Sequence, residues 1–126
     1  MSRFVAAKPP VVARVLTPET VVDCEGSFDV REVRETEEGT LVAAGRAGVE
    51  LLFRFESRED GLAYEQLEGP LEALRTTVTY APENEGTRLT ARSTVAVRGP
   101  GALSRLAAWK RKGELRRALA GIETRC

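Results

Sequence analysis

"VELLFRFE" (residues 49–56) places Val49, Leu51, Phe53 and Phe55 on one side of an extended chain and Glu50, Arg54 and Glu56 on the other. Strict alternation of this kind is the mark of a β-strand with one buried face and one wet face. "TRLTARSTVAV" (87–97) repeats the pattern, with Leu89, Ala91, Ser93, Val95 and Val97 against Arg88, Thr90, Arg92, Thr94 and Ala96. Four further extended segments are predicted at 27–34, 40–47, 62–68 and 72–80. Turn-forming residues separate them: Glu38-Gly39, Gly48, Asp60-Gly61, Gly69-Pro70 and "APENEG" (81–86). Six strands joined this tightly make an antiparallel meander with one solvated face.

The flanking segments supply a cover for the other face. "SRFVA" (2–6) reads as a short opening strand, and Pro9 and Pro10 then sit where a helix begins, since a missing N–H costs nothing in the first turn. Val11, Val12, Val15 and Leu16 share one helical face. Pro18 disfavours helical geometry at Thr17, so this helix is short, and Thr17-Pro18-Glu19 starts a second one that Gly26 closes. After "RGPG" (98–101) about twenty residues of helical composition follow. Leu103, Leu106 and Ala107 share one face of that helix, whereas Leu115, Ala118, Leu119 and Ile122 share another, and Gly113 lies at the join. An antiparallel sheet with one apolar face needs such a cover, and a curved sheet gripping a helix leaves space between them for a small apolar ligand.

The order of elements, the opening "FVAAKPPVVARVLTPETVVDCEG" (4–26), the "ENEGTRLT" turn (83–90) and the terminal "WKRKGELRRALAGI" (109–122) resemble the START-like, or SRPBCC, superfamily. That group includes polyketide cyclase- and dehydrase-like proteins, plant-allergen-like lipid binders and carbon-monoxide-dehydrogenase-subunit-like proteins; "LTPETVVDCEG" (16–26) is most similar to the last. The resemblance implies an α+β helix-grip fold over 1–126 as one domain: a seven-stranded curved antiparallel sheet wrapped around a long C-terminal helix. The matching motifs are structural. They carry the fold rather than the chemistry, and the shortness of the chain implies a small cavity.

Composition narrows the function. The chain of 126 residues has 19 basic and 19 acidic side chains, but residues 1–97 hold 11 basic and 17 acidic groups while 98–126 hold 8 basic and 2 acidic. The terminal helix is therefore cationic on an acidic body. Lys110, Arg111, Lys112, Arg116 and Arg117 read as a solvated face attracted to the rest of its own domain, with a protein partner or a second copy as the alternative use. Nucleic acid is not expected, because the sheet is acidic and offers no stacking aromatics. No segment is long and apolar enough to insert in a membrane, no secretory pattern opens the chain, and a cytoplasmic location is expected.

There is no histidine, which removes the usual neutral-pH base, the common nucleophile triads and most zinc sites. No cofactor or metal is expected. Cys24, between Asp23 and Glu25, reads as a small buried hydrophobe, and the carboxylate doublets at 37–38, 59–60 and 83–85 read as surface charge. Glu32 follows Phe28 and Val30 on the inward parity, although Val33 suggests a bulge that turns it out. The better candidates are polar groups on apolar faces. Tyr64, Gln66, Thr76, Tyr80 and Ser93 are placed to orient a ligand among Phe53, Phe55 and Leu89, with Trp109 on the long helix as a cap; the competing reading is a filled core with those groups bonded internally. The expected function is binding of a small hydrophobic or amphipathic molecule between sheet and helix. The alternatives are a cyclase- or dehydratase-type enzyme that uses Tyr64, Tyr80 or Glu32, and a non-catalytic interaction module.

Overall fold

A computed structural model describes residues 1–126. The chain runs β1 (Ser2–Val5), α1 (Pro9–Val15), α2 (Pro18–Glu25), β2 (Asp29–Thr36), β3 (Gly39–Arg46), β4 (Val49–Arg58), β5 (Gly61–Glu68), β6 (Ala73–Glu83), β7 (Gly86–Ala96) and α3 (Gly101–Arg125). The seven strands form one antiparallel sheet in the order β1-β7-β6-β5-β4-β3-β2. Six of them follow one another as a meander, and β1 closes against β7 at the far edge. The helix-grip architecture expected from the sequence is present.

The two short helices start as the prolines require. Pro9 and Pro18 each occupy the first helical position, and the Thr17 hydroxyl accepts a hydrogen bond from the Thr20 amide at 3.2 Å. Gly26 ends α2 in the left-handed region, φ 78°. The kink between them lets α1 and α2 lie against different parts of the sheet and α3. Val12, Val21 and Val22 turn inward to meet Leu51, Phe53, Phe55, Leu62, Val78 and Leu89 from the sheet and Leu115, Leu119 and Ile122 from α3.

One boundary shifts, and two features the sequence left open are resolved. "APENEG" is mostly strand: β6 extends to Glu83 and β7 begins at Gly86, leaving Asn84-Glu85 as a two-residue turn with both φ angles positive (46° and 66°). Two left-handed residues match the twist of the paired strands, so a tight hairpin replaces a loop. Glu32 points outward. The register shifts between Val30 and Glu32, and the carboxylate pairs with Arg34 at 3.0 Å on an exposed edge strand, where a bulge and charges discourage pairing with other chains. The apolar stripe of α3 also divides sharply. Leu115, Ala118, Leu119 and Ile122 are buried, while Leu103 and Leu106 are exposed, although the helix is continuous through Gly113.

Helix α2 approaches α3 closely because Gly121 has no side chain: a Cβ there would lie 2.7 Å from the Cys24 Sγ. Cys24 is half-buried, and burial pushes its thiol up despite the nearby Arg125, so it packs rather than reacts. At the start of β5, Gly61 has φ 152° and a Cβ would fall 2.0 Å from the Val78 carbonyl oxygen. Because that obstacle is backbone, Gly61→Ala is expected to destabilise the protein by about 2 kcal/mol or more, read from the urea midpoint with far-UV dichroism as the check on folding.

Candidate functional site

Helical spacing brings a charge into the interior twice. On α2, Glu25 follows Val21 and Val22 at i+4 and i+3, and on α3, Arg111 precedes Leu115, Ala118, Leu119 and Ile122 on the buried stripe. Both residues are only 5% exposed. Their charged ends meet at 3.1 Å between Arg111 Nη2 and Glu25 Oε1. The backbone carbonyl of Glu25 accepts a further bond from Arg117 Nε at 2.8 Å, so α3 grips both ends of that residue.

Strands β5, β6 and β7 complete the cluster. The Tyr64 hydroxyl donates to Glu25 and accepts from Arg111 Nη2. Arg111 Nη2 also donates to Thr76 Oγ1 at 2.8 Å, Nε to Ser93 Oγ at 3.2 Å and Nη1 to Glu114 Oε1 at 3.4 Å. Thr76 and Ser93 face each other across the β6–β7 register, 2.8 Å apart. Phe55 stacks on the Tyr64 ring at 4.3 Å and Phe53 meets its edge at 5.9 Å, which fixes where the hydroxyl points. Nearly every donor of the guanidinium is thus engaged, as a buried charge requires.

Burial disfavours the charged carboxylate and raises the pKa of Glu25, while Arg111 and the Tyr64 hydrogen bond pull the other way without cancelling the shift. Burial, and then the neighbouring Glu25, also hold the Tyr64 phenol far above its ordinary range, so it stays protonated. Arg111 remains a cation: burial opposes its charge, but Tyr64 and Glu25 outweigh that.

Beside this network lies a cavity of about 100 Å³, between α3 and the ends of β4–β7. Its apolar walls are Phe28, Leu51, Phe53, Leu71, Leu74 and Val95, with Ala107 as the roof. Glu25 and Arg111 form its inner wall, and exposed Pro70 and Lys110 stand at its mouth. A larger hollow of about 220 Å³ lies on the outer face of the sheet, but it is open and lined by Arg54, Glu65 and Arg75, which pair with one another.

The residues singled out in the sequence separate into three groups. Phe53 and Gln66 line the cavity; Gln66 donates from Nε2 to the Leu71 carbonyl at 2.8 Å, and its Oε1 is enclosed with no partner. Tyr64, Thr76 and Ser93 converge on Arg111 one layer behind the wall. Phe55 and Leu89 are packed inside the core, Tyr80 lies half-buried with its hydroxyl 3.5 Å from the Glu59 carbonyl, and Trp109 is 73% exposed, facing away from the cavity instead of capping it. Arg111 is a correction to the reading of Lys110, Arg111 and Lys112 as one solvated patch. It sits on the inward side of the helix while its two neighbours face water. The sequence presents Glu25 only as a charge beside Cys24. The stripes that betray both residues are visible there, since Val21, Val22 and Leu115 through Ile122 point back to them, but charge is ordinarily read as exposure.

Removing one partner leaves the other charge buried and unpaired. Arg111→Met, which leaves the Glu25 carboxylate buried without its partner, is expected to destabilise the protein by about 3 kcal/mol or more, Glu25→Gln, whose neutral amide resembles the protonated carboxyl, by less, and the double variant by less than the sum, read from urea midpoints. The pH dependence has a definite sign. Because the folded Glu25 holds its proton above the ordinary value of 4.5, the native state binds more protons than the unfolded chain, and this group's contribution to stability falls as pH rises through that interval. That slope is expected to be absent in Glu25→Gln, measured as urea midpoints from about pH 4 to 7.

No family model matches the chain, and no curated protein matches it by sequence. Solved structures do. The protein TTHA0849 from Thermus thermophilus is 24% identical, with TM-score 0.77 over 99% of this chain and 93% of that one. Ara h 8.0201 is 12% identical, with TM-score 0.63 over 98% and 95%. The di-domain ARO/CYC protein StfQ from the steffimycin biosynthetic pathway is 18% identical, with TM-score 0.66 over 99% of this chain and 50% of that one. Such identities speak for shared architecture alone. With its single meander closed by β1 and its terminal helix laid across the inner face, the chain has the helix-grip fold that it shares with these solved structures.

Proposed function

We propose that this protein binds a small hydrophobic or amphipathic molecule in the space between the sheet and α3. The carrying observation is the cavity of about 100 Å³, with apolar side chains and Gln66 along the sheet and the charged Glu25, Lys110, Arg111 and Glu114 on the side of α2 and α3. A void of about 150 Å³ lined by apolar side chains accommodates benzene, so this one has room for roughly three or four methylene-sized groups. The occupant therefore inserts a short apolar end and leaves its remainder at the rim. There Lys110, which has no ionic partner in the chain, favours a negative or strongly accepting group. The likeness in fold to StfQ, an ARO/CYC protein of a biosynthetic pathway, and to Ara h 8.0201 supports hydrophobic-ligand binding in general terms.

Binding is favoured over proton-transfer chemistry by the placement of the candidate groups. Tyr64 does not line the cavity, its proton is committed to Glu25, and Glu32 is on the outer edge. The network acts instead as a rigid floor: Arg111 holds α3, α2 and three strands at fixed spacing, which keeps the space above it open.

Titration of the labelled protein with hexanoate and with hexanol, followed by amide NMR shifts, tests the assignment. Shifts are expected to cluster at Phe28, Leu71, Ala107 and Lys110. Ala107→Leu, which fills the roof, is expected to weaken both probes about tenfold or more, and Lys110→Gln to weaken hexanoate more than hexanol. Absence of shifts with either probe at millimolar concentration, or shifts indifferent to Ala107→Leu, would remove the binding reading.

A further inference from the structure

The first three turns of α3 are built to face two ways. Their inner side contributes Ala107, Arg111 and Glu114 to the cavity, whereas the outer side carries large apolar residues into solvent: Leu103 is 47% exposed, Leu106 59% and Trp109 73%. Ala102, Leu106, Trp109 and Gly113 succeed one another at spacings of four, three and four, which is one row along the helix. Arg105, Lys112 and Arg116 run beside that row on one side, and Lys110 continues the row of Leu103 on the other.

These cations are unlike most others in the chain. Arg3, Arg46, Arg54, Arg88 and Arg125 each pair with a carboxylate, but Arg105, Lys110, Lys112 and Arg116 pair with none. The only acidic group in this part of the helix, Glu114, is turned inward to Arg111. Residues 1–97 meanwhile carry the acidic excess, so the molecule is a charge dipole with α3 at its positive end. A single apolar row holding a tryptophan and flanked on both sides by unpaired cations is the arrangement of a helix that lies in a lipid interface. The charge complement of those flanks is an anionic headgroup layer, and the acidic body turns the rest of the protein away from it.

We infer that the exposed face of α3 from Ala102 to Arg116 docks on an anionic lipid bilayer, lying on it without crossing it. No helix of the chain is long and apolar enough to cross a membrane. Docking there sets the roof and mouth of the cavity at the lipid surface. It does not require the cavity to be occupied, because the apolar row lies on the opposite side of the helix and only Lys110 is shared with the cavity mouth.

Trp109 is the only tryptophan, so its emission reports directly on this face. The intact protein is mixed with phosphatidylcholine vesicles with and without about one-third phosphatidylglycerol, and co-sedimentation and emission are followed. Expected are a blue shift and at least tenfold more protein bound to the anionic vesicles, with release by high salt. Leu106→Ser and the double variant Arg105→Gln/Lys112→Gln, whose residues do not line the cavity, are each expected to reduce binding about tenfold while hexanoate binding is unchanged. No binding to the anionic vesicles overturns the inference. So does equal binding to both vesicle types. A blue shift that appears without lipid and follows protein concentration, with a dimer in sedimentation velocity, overturns it in favour of a second copy on the same face; retention by an acidic polypeptide but not by anionic vesicles overturns it in favour of a protein partner.

Discussion

Everything inside this protein is arranged around one buried ion pair. Arg111 reaches from α3 to Glu25 at the end of α2, and on the way it bonds to groups on β5, β6 and β7. A lone charge at that depth is prohibitively unfavourable, so each member obliges the others to be present: the carboxylate offsets the guanidinium, the hydroxyls of Tyr64, Thr76 and Ser93 take up its remaining donors, and the two phenylalanine rings fix the tyrosine. Hydrophobic attraction is non-directional, whereas hydrogen bonds of the guanidinium demand particular partners at particular distances. The polar network gives α3 one position.

That position has a consequence for shape. Arg111 spans helix and sheet through a long side chain, and beside it Phe28, Leu51, Phe53, Leu74 and Val95 line a space of about 100 Å³ instead of filling it. Further along α3 the side chains are Leu115, Leu119 and Ile122, and there the interior is closed. One helix therefore has a packed half that anchors it and a propped half that roofs a cavity. The propped half also carries the exposed leucines and the tryptophan, which the anchored half has no need to bury.

The neighbours in fold differ greatly in sequence from this chain, and a shared fold does not carry the chemistry of an interior with it. What the comparison does establish is that the same meander gripping a terminal helix is formed by chains only 12% to 24% identical to this one. On the proposed reading, function depends on a handful of side chains at the inner layer and at the mouth: Glu25, Arg111, Lys110 and the apolar wall.

Period-two alternation in "VELLFRFE" and "TRLTARSTVAV", prolines at 9, 10 and 18, and glycines at the turns were enough to determine the element order and a one-faced sheet that needs a helical cover, because those signals act within a few residues along the chain, while the helix-grip arrangement was what the family resemblance implied. Gln66 and Phe53 were also legible as wall residues, since parity on a strand assigns the face. Which charged residues enter the core was decided only by tertiary structure. Glu25 and Arg111 are 86 positions apart in number, and each looks like ordinary surface charge until the fold supplies the other. The same holds for Trp109 and Leu106: their apolarity is written in the sequence, but whether a helix face meets the sheet or the solvent depends on where Arg111 pins the helix, and that is a property of the assembled layers.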